Sequence, residues 1–452
     1  MADHKIKLDP GAAALLDALH GAGYAAYAVG GCVRDSLLGL SPQDYDLCTN
    51  ALPEQTKAVF RDYRLVLAGE KHGTVTVVTP EGKVEITTFR TEGGYRDSRH
   101  PDWVKFVPDI EGDLSRRDFT VNAMAYSPTR GFADPFGGQA DLQNHILRAV
   151  GNPETRFRED ALRILRGVRF SAKYGLTPEN ATLNAMVSES HLLDSLARER
   201  VFEELGKYLL MANVEDLRRF APILGAAIPE LSPMIGFDQH SPHHAYDLFT
   251  HTAHVVAGVP AEPVPRWAAL LHDTGKITTF TRDATGRGHF YGHAKESARI
   301  ADAVLRRLKA PTALREAAVL LIEKHMTRLL PEEKFLRRQA AKLGFPFLYE
   351  LLTLQKADMG SKGTGGDDGS ALFAQTEEML HKLEAEHLCL SLKDLAVNGS
   401  DLMALGFSGR AIGICLNALL GEVLEQRLPN ERQALLAFAA GQPKTDSCKK
   451  DR

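Results

Sequence analysis

A chain of 452 residues is too long for one hydrophobic core, so several domains are expected. Its apolar and charged fractions are those of a soluble protein; no apolar run is long enough to span a bilayer, and Met1-Ala2-Asp3-His4-Lys5 lacks a signal-peptide pattern. A net charge of −4 excludes a global basic field, so a nucleic-acid partner would have to be met by local basic patches. Five scattered cysteines (Cys32, Cys48, Cys389, Cys415, Cys448) form neither a zinc spacing nor a disulfide framework, which suits a reducing cytoplasm.

Ala12, Leu15, Leu16 and Leu19 repeat with helical spacing, and Gly21 and Gly23 end that helix. Residues 25–30 read as a strand, then Gly30-Gly31 as a turn, then a short helix carrying Arg34, Leu37 and Leu38. A second strand carries Asp44-Tyr45-Asp46; residues i and i+2 of a strand point the same way, so the two carboxylates share a face. Adjacent carboxylates repel unless a cation sits between them, and hard cations such as Mg²⁺ prefer oxygen ligands. Gly30 and Gly31 let backbone approach a ligand, helix-start N–H groups bind phosphate, and Arg34 adds a fork-shaped phosphate donor. The parts together describe a metal-dependent site for a nucleoside triphosphate, although a lone D-x-D is most often a solvated turn.

Gly30-Gly31, Arg34 three residues on, and Asp44-x-Asp46 ten residues beyond that arginine resemble the signature of the DNA polymerase beta nucleotidyltransferase superfamily. In particular they resemble class II tRNA nucleotidyltransferases (CCA-adding enzymes) and bacterial poly(A) polymerases. The resemblance implies two Mg²⁺ ions on Asp44 and Asp46 and a triphosphate held by Gly31, Arg34 and further motifs.

Pro53 suits the first turn of a following helix. Residues 73–78 and 83–89 form a plausible hairpin, on which Glu85 is either a third carboxylate near the metals or an ordinary polar strand position. Arg90 to Pro101, with two glycines, many charges and little apolar content, is expected to be a mobile loop. Such a loop in CCA-adding enzymes is implied in the final A addition. In Arg116-Arg117-Asp118-Phe119-Thr120-Val121-Asn122-Ala123, the residues Phe119, Val121, Ala123 and Ala125 alternate as a buried strand face would. Arg117 and Asn122 match the family's motif for triphosphate and sugar contacts, and Asp118 is expected to support Arg117 by pairing.

Arg156 to Phe170 reads as a helix with Ala161, Leu162, Leu165, Val168 and Phe170 on its apolar side. Asp160, Arg163, Arg166 and Arg169 step by threes along a polar stripe. Alone it reads as a solvated basic face; it also matches the family's E-D-x-x-R motif. The pairing edges of cytosine and adenine both place an amino donor beside a ring acceptor. An aspartate accepts from the first and an arginine donates to the second. Uracil and guanine show the opposite order, so Asp160 with Arg163 would take C and A and reject U and G, with Arg166 and Arg169 holding the pair or reaching phosphate.

Residues 176–235 read as helical without separate chemistry. His251, the adjacent pair His272-Asp273, His293, His325 and Asp358 follow, embedded in helix-like runs. A single histidine on an apolar helix is usually a core residue or a cap, but this set resembles the HD phosphohydrolase superfamily. The resemblance implies a metal site, for which imidazole plus carboxylate suits Mn, Fe, Ni or Co, and a metal able to activate water for phosphoester cleavage. His254, one turn after His251, is a rival ligand, and a scaffold that merely keeps its ligands is the bland reading. Ser361 to Ser370 is a glycine-rich linker. Leu395 to Arg410 and Asn417 to Leu424 resemble the C-terminal tRNA-binding region of CCA-adding enzymes.

The expected architecture is an α+β, polymerase-beta-like nucleotidyltransferase head with a small mixed sheet (1–145), followed by all-α parts. These are a base-selecting neck (146–235), an HD domain (236–360), a tRNA-binding tail (371–442) and a disordered end (443–452). The expected activity is addition of C, C and A to the tRNA 3′ end from CTP and ATP, in the cytoplasm, with no membrane and no obligatory protein partner. Poly(A) polymerase is the nearest alternative, against which the short, mixed-charge tail argues; A-only addition stays open, since the loop and motif suit it too. A phosphodiesterase or phosphatase centred on the HD residues is the other.

Overall fold

The computed structural model describes residues 6–93, 103–242, 245–363, 369–386 and 388–444. The chain forms two compact units, Met1–Pro233 with Val304–Ala310, and Met234–Ala303 with Pro311–Arg452.

The first unit begins with α1 (Pro10–Gly21), capped by Asp9, whose carboxylate accepts from the Ala12 N–H at 2.5 Å. Then come β1 (Ala26–Val29), α2 (Gly31–Leu37), β2 (Asp46–Thr49), α3 (Pro53–Val59) and β3 (Arg64–Val66). The hairpin expected over 73–89 is present as β4 (Thr74–Val78) against β5 (Lys83–Thr88). With β8 (Ala125–Ser127) and β9 (Gly131–Ala133) these strands make a seven-stranded mixed sheet in the order β3-β4-β5-β2-β1-β8-β9. Only β2 and β5 run parallel, which places Asp46 beside Glu85. One apolar layer contains Leu15, Leu16, Leu19, Leu47, Val75, Val77 and Ile86, all about fully buried. Another contains Tyr27, Val29, Cys48, Phe89, Leu114, Ala123, Ala125 and Val150.

Three expectations for this unit are corrected. Asp44 lies before β2, because β1 ends at Val29, opposite Asp46, and Gly30 turns away, leaving residues 44 and 45 no ladder partner. Residues 119–125 are not one strand: Thr120–Asn122 is a tight 3₁₀ turn and only Ala125–Ser127 pairs, although Phe119 through Ala125 are all buried. Arg90–Gly93 is not loop but β6, antiparallel to β7 (Trp103–Phe106), with Gly93 opposite Trp103. The rest of the expected mobile loop, 94–101, lies outside the described residues, as do 364–368 of the linker and 445–452 of the expected disordered end.

After α4 (Ile110–Ser115) and α5 (Gly138–Gln143), two helices replace the single one expected: α6 (Pro153–Glu159) and α7 (Leu162–Tyr174). The break falls at Asp160, whose backbone is extended and whose carboxylate accepts from the Leu162 N–H at 3.0 Å. Helices Asn180–Ser188, Arg198–Leu209, Val214–Arg219 and Ala221–Ala227 follow, as the periodicity of 176–235 predicts.

The second unit is helical, with long helices Leu248–Gly258, Pro263–Leu271, Thr312–Lys324 and Phe345–Gly360, and one starting at His293. Its last part, Gly399–Ala404, Arg410–Leu424 and Arg432–Ala440, closes over its own core of Leu402, Phe407, Cys415, Leu419 and Leu435. No helix among the described residues is long and apolar enough to cross a membrane.

Candidate active site

Gly30 has φ 72°, a left-handed conformation, and a Cβ there would sit 2.8 Å from the Arg117 guanidinium. The backbone conformation there calls for glycine, and a larger residue would also push the arginine aside. The turn opens a cavity of about 540 Å³ lined by Gly30, Gly31, Arg34, Asp44, Asp46, Glu85, Arg117, Asn122, Asp160, Arg163, Arg166 and Arg169. Every head and neck residue singled out from the sequence is thus gathered on one wall-to-wall site, Glu85 included. Burial pushes the Asp46 carboxyl up, with Arg117 opposing and Glu85 and Asp44 adding to the rise. Three carboxylates crowded in this way form an oxygen donor set suited to a hard divalent cation.

The facing wall is cationic and tightly held. Asp113, whose side chain is completely buried, takes Arg116 at 2.9 Å and Arg117 at 3.3 Å. Asp118 does not pair with Arg117 as expected. It takes Arg166 at 2.7 Å and the Asn122 amide at 3.0 Å. Arg117, just past the end of α4, stays with Asp113 of that helix because four residues separate them, about one helical turn. Burial opposes ionisation of both carboxyls, but their arginine partners hold both below the usual carboxylate range.

Arg34 is buried, donates to Asp35 and to the Asn122 side-chain oxygen, and lies 4.2 Å over the Tyr174 ring. Arg163 is 7% exposed; it donates to Glu159 at 2.6 Å and to the main-chain oxygens of Arg156 and Arg116. Arg169 pairs with Glu204 at 2.5 Å. Asp160 faces the cavity from the α6–α7 break, with Arg200 3.7 Å away. Sequence reasoning missed Arg200, Arg116, Lys173 and Tyr174 as lining residues. Tyr174 had a readable signal, since it lies one helical turn after Phe170; Arg200, from a helix remote in sequence, had none.

The second unit holds the other candidate cluster. Ligand atoms of His251, His272, Asp273 and Asp358 lie within 4.8 Å of one another, and so do those of Asp273, His293 and His325. His254 is not among them: its ring stacks on Tyr246 at 4.5 Å. The Nδ1 atoms of His251, His272, His293 and His325 each face a main-chain oxygen, of Ser361, Ala269, Phe290 and Ile322, at 2.6–3.2 Å. Hydrogen bonds of that kind favour the tautomer with Nδ1 protonated and turn Nε2 inward; His251 Nε2 lies 3.0 Å from Asp358. The Nε2 atoms of His293 and His325 then meet at 3.2 Å with a lone pair on each, an arrangement that a bound cation relieves. Burial holds both rings in the neutral form, with His325 pulled down to about 4. His272 Nε2 is buried 3.2 Å from Asp273, and although burial disfavours the charged ring, the carboxylate pushes its pKa up. Lys276 reaches Asp273 at 2.8 Å and Gln239 at 3.0 Å. The donors and their orientation fit an imidazole–carboxylate metal centre.

Family models match three stretches: the poly A polymerase head domain over 26–148, a probable RNA and SrmB-binding site of polymerase A over 175–219, and a putative second tRNA nucleotidyltransferase domain over 292–439. The chain is 33% identical to a CCA-adding enzyme of Latilactobacillus sakei, covering 94% of this chain and 96% of that one. It is 32% identical to a CCA-adding enzyme of Lactiplantibacillus plantarum, covering 94% of each. Among solved structures it is similar to the Bacillus stearothermophilus CCA-adding enzyme in complex with CTP, at 29% identity and a TM-score of 0.70 over 96% of this chain and 97% of that one.

The buried carboxylates set a stability test. Folded Asp113 and Asp118 titrate below the unfolded value of ~3.9, so their stabilisation is fully present above that value and is lost as pH falls below it through the folded values. Urea midpoints of the first unit should be level above pH ~5 and fall below pH ~4. Asp113→Ala should cost about 3–5 kcal/mol at neutral pH by leaving two arginines unpaired, and should weaken the acid dependence.

Proposed function

The chain belongs to the family of CCA-adding enzymes, and we propose that it extends the 3′ end of tRNA with C, C and A from CTP and ATP, releasing pyrophosphate and using no nucleic-acid template. The observation that carries this reading is one cavity that joins Asp44, Asp46 and Glu85 to the arginine wall and to the Asp160–Arg163 pair.

In this reading Asp44 and Asp46 hold divalent ions, Mg²⁺ by the hardness of their oxygens. Bound there, the metal lowers the pKa of the attacking 3′-hydroxyl and balances charge on the leaving group. The chain's own part is positioning. The Gly30–Gly31 turn and the start of α2 admit the triphosphate, and Arg117, oriented by Asp113, faces it. Asn122, held between Arg34 and Asp118, meets the sugar. The 3′-oxygen bonds to the α-phosphorus, the bond to the β-phosphate breaks, pyrophosphate leaves, and the hydroxyl proton passes to water.

Asp160 and Arg163 read the base edge. Three acceptors fix Arg163 before any nucleotide arrives, so its remaining N–H groups sit in one plane and register, and only C and A present the matching order. Arg166 and Arg169, tied to Asp118 and Glu204, form the frame behind that pair. A-only addition and poly(A) synthesis use the same head and differ in what acceptor they take and when they stop.

A second reading applies to the second unit, and the four aimed histidines favour it. His251, His272, Asp273 and Asp358, with His293 and His325, would hold Mn, Fe, Ni or Co and cleave phosphoesters of RNA ends or nucleotides.

The deciding assay is addition to tRNAs ending at the discriminator base, at C and at CC, each with CTP, ATP or both. Ordered addition of C, C, A and then a stop is expected; A alone, or unlimited A, would replace the reading. Asp46→Ala should lower C and A addition alike by about 10³-fold or more, and retained turnover would remove the metal assignment. Arg163→Ala should narrow discrimination against UTP and GTP by about 10-fold or more while triphosphate binding persists, as filter binding reports. For the second unit, protein stripped with chelator and reloaded with Mn²⁺ should retain metal after gel filtration, and His272→Ala should not, by elemental analysis.

A further inference from the structure

Tyr174 is the last residue of α7 and borders the nucleotide cavity. Arg166, Phe170 and Tyr174 fall four residues apart, so they form one stripe of that helix. Each of them meets the head. Arg166 pairs with Asp118 at 2.7 Å, the Phe170 ring centre lies 6.0 Å from that of Phe119, and the Tyr174 hydroxyl accepts from Arg34 at 2.5 Å. The same guanidinium lies 4.2 Å from the centre of the Tyr174 ring.

The N–H groups around Arg34 decide what this corner can hold. Arg34 donates twice to Asp35, at 2.9 and 2.7 Å, once to Asn122 Oδ1 and once to Tyr174, which leaves one N–H of its five. A two-pronged grip on a phosphate is therefore closed to it. The Asn122 amide has one consistent orientation, because an arginine only donates and a carboxylate only accepts. Its oxygen faces Arg34 and its nitrogen donates to Asp118 at 3.0 Å, leaving one amide N–H with no acceptor among the described residues. The Tyr174 hydroxyl proton likewise has no acceptor among the described residues, and accepting from a cation makes that hydroxyl a stronger donor. Three donors thus stay unused at one end of the cavity. Arg34 is neutralised there by Asp35, so the corner suits a neutral oxygen better than a phosphate. Arg117, whose Nε is buried without a partner, is the better anchor for charge.

We propose that Tyr174 selects ribonucleotides, its hydroxyl donating to the ribose 2′-oxygen beside Asn122. The assignment rests on the nucleotidyl-transfer reading above, in which Asn122 meets the sugar. Arg34 and Asn122 are buried and Tyr174 is half-buried. A nucleotide without the 2′-oxygen leaves their donors unpaired, and a site built to bond a hydroxyl rejects the analogue that lacks it. Since α7 also carries Arg163, one helix then reads both the base and the sugar.

The test compares CTP with 2′-deoxy-CTP and 3′-deoxy-CTP, first by equilibrium binding to the full-length protein without RNA. The unaltered protein should bind CTP more tightly than 2′-deoxy-CTP by about tenfold or more. Tyr174→Phe, which keeps the ring beside Arg34, should narrow that gap to about threefold or less. Equal affinities in the unaltered protein, an unchanged gap in Tyr174→Phe, or a gap that appears with 3′-deoxy-CTP alone each overturn the assignment. In addition to tRNA, the ratio of kcat/KM for CTP to that for 2′-deoxy-CTP should fall in Tyr174→Phe, while the preference for CTP over UTP stays within about twofold. A merely structural role would lower kcat/KM for all three nucleotides together and leave both ratios as they were, and that result overturns the assignment too. Absence of addition by the unaltered protein overturns the transfer reading instead, an outcome distinct from the binding gap, which is read without RNA.

Discussion

Two buried carboxylates five residues apart set the shape of the nucleotide site. Asp113 binds Arg116 and Arg117, and Asp118 binds Arg166 and, through Asn122, Arg34. A cavity walled by guanidinium groups would be forced open by their mutual repulsion without an equal charge behind them. Here Asp113 supplies that charge from beneath the wall and Asp118 from its edge, so the arginines stay aimed while their outer faces remain available. Asp118 also binds an arginine of α7, and Phe119, beside it in sequence, places its ring against Phe157 and Phe170 on α6 and α7. The same few residues thus align the sheet that carries the carboxylates with the helices that carry Asp160 and Arg163.

The histidine cluster of the second unit uses the opposite solution. There the main-chain oxygens orient each imidazole, burial keeps His293 and His325 neutral, and the charge in the centre comes from Asp273 and Asp358. An arginine wall prepares for an anion; neutral rings with inward lone pairs prepare for a cation. Each centre has its supporting shell complete, which is what distinguishes it from a chance gathering of polar residues.

Much of this was legible before any coordinates. The hairpin 73–89, the strand–glycine–helix unit at 26–37 and the helical runs after 176 follow from period and turn chemistry. The candidate ligands were readable because metal and phosphate chemistry restrict residue types: paired carboxylates, arginines at helical steps, a His-Asp pair among apolar helices. The choice of His251 over His254 was not. One helical turn separates them, and only the stacking of His254 on Tyr246 decides which enters the cluster.

The failures have separate causes. Asp44 falls outside β2 because β1 leaves it no ladder partner, Thr120–Asn122 turns with Thr120 bonded to Arg148 and Asp141, and α6 ends where Asp160 turns its own carboxylate to the Leu162 N–H. Local sequence determined the kinds of elements, the donor chemistry and the resemblance to a nucleotidyltransferase, since these depend on residue type and short spacing. Tertiary structure alone decided which carboxylate serves which arginine, that Glu85 joins the aspartates through the parallel β2–β5 pair, and that Tyr174 meets Arg34 from 140 residues away. Those facts depend on distances between segments far apart in the chain, which no local pattern encodes.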